Sequence, residues 1–231
     1  MEQRFSNKNN PLCRWGYKAM KLLKENYEGL EKVNTIPEQL KTFLSNPNNQ
    51  ELFKNNDFKT LYSRLSYNCS GLTELLISLD IDPLKYLDHI PGHFLANTTI
   101  ESINIPNNIK RIDSEAFSGC FNLTNVTIPN SVKSIGWNAF WMCKNLTYIT
   151  IPDSVTSIGD DVFGACTGLT HITLPKTLTG ISRYAFNYCS GLTDIHYMGT
   201  KDQWSKIKLE RGWDNDLPIK TIHCIDGDIT L

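Results

Sequence analysis

The 231-residue sequence has no surplus of either charge: 23 Lys and Arg stand against 24 Asp and Glu. A general nucleic-acid binder would carry a marked basic excess, so the balance speaks against that class. No apolar run is long enough to cross a bilayer. There is no glycine-rich loop ending in Lys-Ser or Lys-Thr and no Gly-x-Gly-x-x-Gly turn, so no nucleotide site is indicated. The first residues, MEQRFSNKNNPLCRW, lack the charged-then-apolar run of a signal peptide, and the expected location is the cytoplasm. Seven cysteines, an odd number, argue against a disulfide framework in that setting.

What the sequence does have is self-similarity. LTNVTIPNSVKSIGWNAFWMCKN starts at Leu123, LTYITIPDSVTSIGDDVFGACTG at Leu146, and LTHITLPKTLTGISRYAFNYCSG at Leu169. An earlier copy begins at Ile100 and a partial one, LTDIHYM, at Leu192. Each full unit has 23 residues. Ile103, Val126, Ile149, Ile172 and Ile195 share one column, and Ile105, Ile128, Ile151, Leu174 and Tyr197 another. Ile112, Ile135, Ile158 and Ile181 form a third, and Phe117, Phe140, Phe163 and Phe186 a fourth. One unit cannot bury these residues alone. Stacked units turn each column into an inner ladder, with roughly 1.5–3 kcal/mol from each fully buried large side chain.

Cys120, Cys143, Cys166 and Cys189 are the next column. Parallel rungs lie about 4.7–4.9 Å apart, so four sulfurs in a row spread over roughly 14 Å and cannot converge on one zinc with bonds near 2.3 Å. The expected role is a small buried hydrophobe.

The pattern LTxITIPxSVxSIGxxAFxxC resembles the BspA-like, or Treponema-type, subclass of leucine-rich repeats, whose units span 20–29 residues. The resemblance covers residues 100 to 198, and a degenerate rung precedes it, with Phe94 one period before Phe117. The expected fold class is therefore an α+β repeat solenoid of about five rungs. Residues 1–88 read as a helical N-terminal region, 89–198 as the leucine-rich repeats and 199–231 as a C-terminal cap. In the first part, Leu12, Trp15, Ala19, Leu22, Leu23, Tyr27 and Leu30 recur at helical spacing after Pro11. In the last, Thr200 and Gln203 read as a capping box, Trp204 and Ile207 as one helix face, and IKTIHC at 219–224 as a final strand. Gly-Thr-x-x-Gln-Trp tails are also a feature of similar arrays.

Strand side chains alternate between faces. The inward columns therefore leave two outward ones on the sheet that such solenoids present as their concave side. One is Ser102, Asn125, Tyr148, His171 and Asp194; the other is Asn104, Thr127, Thr150, Thr173 and His196. The first column changes from rung to rung while its neighbours stay fixed, which is where a partner can be specified. Asn125, Tyr148, His171, Asp194 and His196 are the first candidate binding residues. Trp137, Trp141, Met142, Tyr184 and Tyr188, at non-core positions of the opposite face, are the second, because an exposed apolar patch marks an interface.

No catalytic residue, metal site or cofactor is expected. His171 and Asp194 adjoin across rungs, but no nucleophile accompanies them. His89 and His93 are separated by Pro91 and Gly92, which break the helix that would aim both rings at one ion. The basic run Arg14, Lys18, Lys21 and Lys24 leads directly into Glu25, Glu28 and Glu31, as on a solvated helix face. The expected function is non-enzymatic recognition of another protein inside the cell, as an inhibitor or adaptor encoded by a bacterium, phage or mobile element. The alternative is a secreted or surface adhesin, since the family it resembles is associated with surface proteins that bind host matrix or other cells.

Overall fold

The computed structural model describes residues 83–85, 87–219 and 221–231. The expected helices of the N-terminal region fall outside them, apart from one 3-10 turn at Pro83–Lys85. The repeat unit runs from Leu87 to Leu231. Its rungs carry two sets of short parallel strands. The first set is β2 (Ser102–Asn104), β4 (Asn125–Thr127), β6 (Tyr148–Thr150), β8 (His171–Leu174), β10 (Asp194–Tyr197) and β12 (Thr221–Cys224). The second is β1 (His89–Ile90), β3 (Arg111–Ile112), β5 (Ser134–Ile135), β7 (Ser157–Ile158), β9 (Gly180–Ile181) and β11 (Lys208–Leu209). The second set carries the Ile112, Ile135, Ile158 and Ile181 column.

Proline explains the corner between the two sets. It has no N–H for a ladder and fixes φ, so the chain must leave the strand there. The carbonyls of Pro106, Pro129, Pro152 and Pro175 each accept the N–H three residues on, from Ile109, Val132, Val155 and Leu178. The third face is built of turns. Phe117 N–H donates to the Ala139 carbonyl at 2.8 Å, Phe140 to Val162 at 2.9 Å and Phe163 to Ala185 at 2.9 Å. Two positions per turn take positive φ, such as Asn138 (54°) with Met142 (58°) and Tyr184 (57°) with Tyr188 (57°).

The core follows the columns. Phe117, Phe140, Phe163 and Phe186 are fully buried and stacked, with centroids 4.9, 5.6 and 5.7 Å apart. The four column cysteines are free and buried. Each thiol donates to a carbonyl of the preceding rung: Cys143 to Phe117, Cys166 to Phe140 and Cys189 to Phe163. Burial pushes the Cys120 thiol up to about 11 and Cys189 to about 12, and it raises Cys143 and Cys166 well above the ordinary range. Only a thiolate attacks, so these sulfurs are protected both by cover and by protonation. In the folded protein, a thiol reagent is expected to modify half-buried Cys224 before any of the four, as read by peptide mass mapping. Early modification of Cys166 would contradict the buried ladder.

The first rung departs from the expected register. Leu95 N–H donates to Ala116, and Asn97 N–H to Ser118, one residue short of the spacing used by the later rungs. Leu95 therefore occupies the phenylalanine column, and Phe94 lies buried in the alanine column that Ala116 and Ala139 continue. Thr98 takes the cysteine column, and its Oγ1 lies 3.6 Å from Cys120 Sγ. The missing residue lies between Thr98 and Ile100, where later rungs have two residues between cysteine and leucine.

The C-terminal segment continues the stack. A four-residue helix, α1 (Lys201–Trp204), is inserted between β10 and β11, and its N-terminus carries the expected Thr200–Gln203 capping box. Beyond it, Leu209 pairs with Ile181, Trp213 packs edge-on against Phe186 with centroids 6.3 Å apart, and Ile222 pairs with Ile195. β13 (Gly227–Thr230) then pairs antiparallel with β12 and covers that edge of the sheet.

One seam interrupts the strand ladders. β2 pairs with β4, and β6, β8, β10 and β12 pair in series, but β4 does not pair with β6, nor β5 with β7. Ile128 (8% exposed) and Ile135 (7%) beside the seam are less covered than Ile151 (2%) and Ile158 (0%) in the next rung. Across it run the turn-face bonds, the Ser154 hydroxyl to the Val132 carbonyl, and Asn125 Nδ2 to the Tyr148 hydroxyl at 2.8 Å.

Candidate functional site

The long sheet places the first set of candidate residues side by side. Asp194 is opposite His171, and Tyr148 is opposite His171 on the other side. Tyr148 is half exposed and receives the Asn125 amide, which ties the outer column together across the seam. His171 Nε2 lies 3.3 Å from Asp194 Oδ2, while its Nδ1 is 2.7 Å from Thr170 Oγ1.

The register adds a residue that the 23-residue period does not reveal. His196 pairs with His223, and their rings stack with centroids 5.0 Å apart. His223 Nε2 is 3.7 Å from Asp194 Oδ1, and its Nδ1 is 3.0 Å from Asp228 Oδ1 on β13. Asp194 thus lies among three imidazoles. Its carboxyl is held below the usual range by the Thr193 hydroxyl, which donates at 2.7 Å, and then by His171, His196 and His223. The alternation in IKTIHC places His223 outward, but its 27-residue offset from His196 hides the partnership.

The second set lies on the turn face. Trp137, Trp141, Tyr184 and Tyr188 are exposed and Met142 is half-buried. Trp141 leans over the next rung, where a Cβ on Gly164 would stand 2.9 Å from its Cδ1. Tyr184 also lines an open cleft of about 580 Å³ with Arg183, Lys208, Glu210, Arg211 and Asn215. Glu210 there already pairs with Lys208 at 3.2 Å and Arg183 at 3.7 Å.

His89 and His93 engage separate carboxylates, Asp88 at 2.7 Å and Glu115 at 3.5 Å. Among the described residues, no three His, Cys, Asp or Glu side chains are placed to hold a metal ion. No helix among them is long and apolar enough to cross a membrane.

These rungs match the BspA type leucine rich repeat region in six copies over residues 88–207, more than half of the chain. The chain belongs to the BspA-type leucine-rich repeat family. Solved structures similar to it include a leucine rich cell surface protein from Faecalibacterium prausnitzii: 33% identity, 48% of this chain and 35% of that one covered, TM-score 0.40. A leucine-rich repeat protein from Bacteroides ovatus shares 26% identity over 58% of this chain and 40% of that one, with TM-score 0.45. The leucine rich repeat protein of T. pallidum shares 24% over 54% and 59%, with TM-score 0.41. This chain thus spans less than two thirds of the length of each of these structures. A search of curated proteins found no match. Leucine-rich repeat solenoids are typically non-enzymatic scaffolds, and membership of this family points to a protein-interaction module.

Proposed function

We propose that the chain is a protein-recognition module whose binding surface is the outward face of β4, β6, β8, β10 and β12. The observation that carries this reading is the side-chain network across that face. Asn125 holds Tyr148 across the seam, while His171 holds Asp194 and Asp194 meets His223 on strands that pair in series. Side chains already ordered lose less entropy when a partner arrives. Tyr148 supplies a large amphipathic anchor beside them.

The test is a pull-down read by mass spectrometry. The intact protein is compared with Tyr148→Ala/His171→Ala/Asp194→Ala, after circular dichroism shows that the variant is folded. A stoichiometric partner of the intact protein should lose at least about 2 kcal/mol of affinity, or roughly thirtyfold, when hot-spot residues are removed. Unchanged capture would reject the sheet face.

A second reading places the interface on the turn face. It is favoured by Trp137, Trp141, Tyr184 and Tyr188, four large rings exposed on that face. In that case Trp137→Ala/Trp141→Ala/Tyr188→Ala would lose the partner while the sheet variant kept it. We propose the intracellular form of the function, an inhibitor or adaptor acting on a larger protein, with a surface adhesin as the alternative. Protease added to intact source cells separates the two. Survival of the protein supports the first, and cleavage supports the second.

A further inference from the structure

Where β11 lies beside β9, the repeat unit carries a cationic cleft that the sheet-face reading does not use. Backbone bonds fix its walls. Lys208 and Leu209 pair with Gly180 and Ile181. Beyond the strand, Glu210 N–H donates to the Ile181 carbonyl at 2.9 Å, and Tyr184 N–H donates to the Gly212 carbonyl at 3.2 Å. The loop is thus bonded to the neighbouring rung on both sides of Arg211, which sets Arg211 beside the rung that carries Arg183. Gly212 takes a φ of 79°, and a Cβ there would stand 3.2 Å from Tyr184 Cε1 and 3.1 Å from Asn215 Nδ2. The bare glycine therefore lets that ring and that amide close in on the loop backbone.

The charges that line the cleft do not cancel. Arg183, Lys208 and Arg211 share it with one carboxylate, Glu210. That carboxylate is already divided between Lys208 at 3.2 Å and Arg183 at 3.7 Å. Among the described residues, no hydrogen bond or ion pair engages the Arg211 side chain. Asp214 and Asp216 follow on the same loop, but neither is among the described residues that line the cleft. Three cations against one carboxylate leave a surplus of two positive charges.

A phosphate monoester brings close to two negative charges at neutral pH. Arginine suits it because the planar guanidinium meets phosphate oxygens two at a time. The volume shows that the anion has company. About 580 Å³ falls in the range of pockets that hold organic ligands, whereas one water takes only about 30 Å³. Most of the remaining lining is polar. Asn215 donates and accepts, Glu210 accepts, and Tyr184 adds a flat ring face. A sugar ring answers both, with hydroxyls around its rim and C–H groups on its face.

We propose that this cleft binds a phosphorylated sugar, with its phosphate on Arg211 and Arg183 and its ring against Tyr184 and Asn215. The site lies apart from the protein-binding sheet, and its test does not depend on that reading.

The test is isothermal titration calorimetry of the full chain at low salt and pH 7.5. Glucose 6-phosphate, glucose 1-phosphate and ribose 5-phosphate are the probes; glucose and inorganic phosphate supply the two halves separately. At least one sugar phosphate should bind at least about tenfold tighter than either half. Arg211→Gln should weaken that probe at least about tenfold, the size of one lost charged hydrogen bond. Tyr184→Ala should weaken it too, while leaving inorganic phosphate unchanged. Lys206→Gln removes an exposed cation outside the cleft and should bind as wild type does. Circular dichroism first shows that each variant is folded. No binding of any of the three probes, inorganic phosphate binding as tightly as the sugar phosphates, or full affinity in Arg211→Gln would overturn the proposal. An equal loss in Lys206→Gln would also overturn it, because net charge rather than the cleft would then hold the anion.

Discussion

Replacing Phe163 by alanine is expected to destabilise the repeat unit by about 3–5 kcal/mol, the range for deleting a buried aromatic ring. At about 2–4 °C per kcal/mol, the thermal midpoint should fall by roughly 6–20 °C. The reason lies in where the ring sits. Phe163 is fully buried between Phe140 at 5.6 Å and Phe186 at 5.7 Å, with planes within 8° and 4° of parallel. The rungs on both sides are tied by backbone bonds through this face, so they cannot close onto the gap independently. Differential scanning calorimetry checks the shift. A change of less than about 1 kcal/mol, the size of a conservative core swap, would contradict a continuous aromatic ladder.

Trp213→Ala is expected to cost about as much, roughly 3–5 kcal/mol, but to act locally. Trp213 is buried and meets Phe186 edge-on at 6.3 Å and Trp204 at 6.1 Å, while Trp204 meets Tyr197 at 5.3 Å. It therefore closes the end of the phenylalanine column, as a terminal rung must if core is not to face water. Stacked repeats interact mainly with their nearest neighbours, so an end can open without the centre. Hydrogen exchange should show lost protection in β10, β11 and β12 with β2 and β3 unchanged. Uniform loss over the whole stack would contradict the local role. The contrast with Phe163→Ala separates a column from its plug.

Much of this architecture is legible because the repeat is regular. Four columns of apolar residues recurring at one period admit few arrangements other than stacked rungs, and the proline after β2, β4, β6 and β8 marks the corner. The second strand set is not legible in the same way. Two-residue strands such as Ser157–Ile158 are too short to show alternation, and only the stack reveals that their backbones pair. Irregularities escape for the opposite reason. The residue missing between Thr98 and Ile100 shifts Leu95, not Phe94, into the phenylalanine column, because backbone bonding to Ala116 and Ser118 outweighs the match of side-chain type. The insertion carrying α1 shifts His223 out of period with His196, so the third histidine of the cluster is visible only from strand register. The seam beside β6 has no counterpart in the sequence, since the rungs on either side of it have the same length and pattern.

The central claim is that the sheet face, not the turn face, meets the partner. Hydroxyl-radical footprinting tests it directly, because both faces carry oxidisable rings at the surface. In a complex with the captured protein, the account predicts reduced oxidation of Tyr148, His171 and His196, with Trp137, Trp141, Tyr184 and Tyr188 modified as in the free protein. Protection of Trp137, Tyr184 and Tyr188 with Tyr148 and His171 unchanged would contradict it.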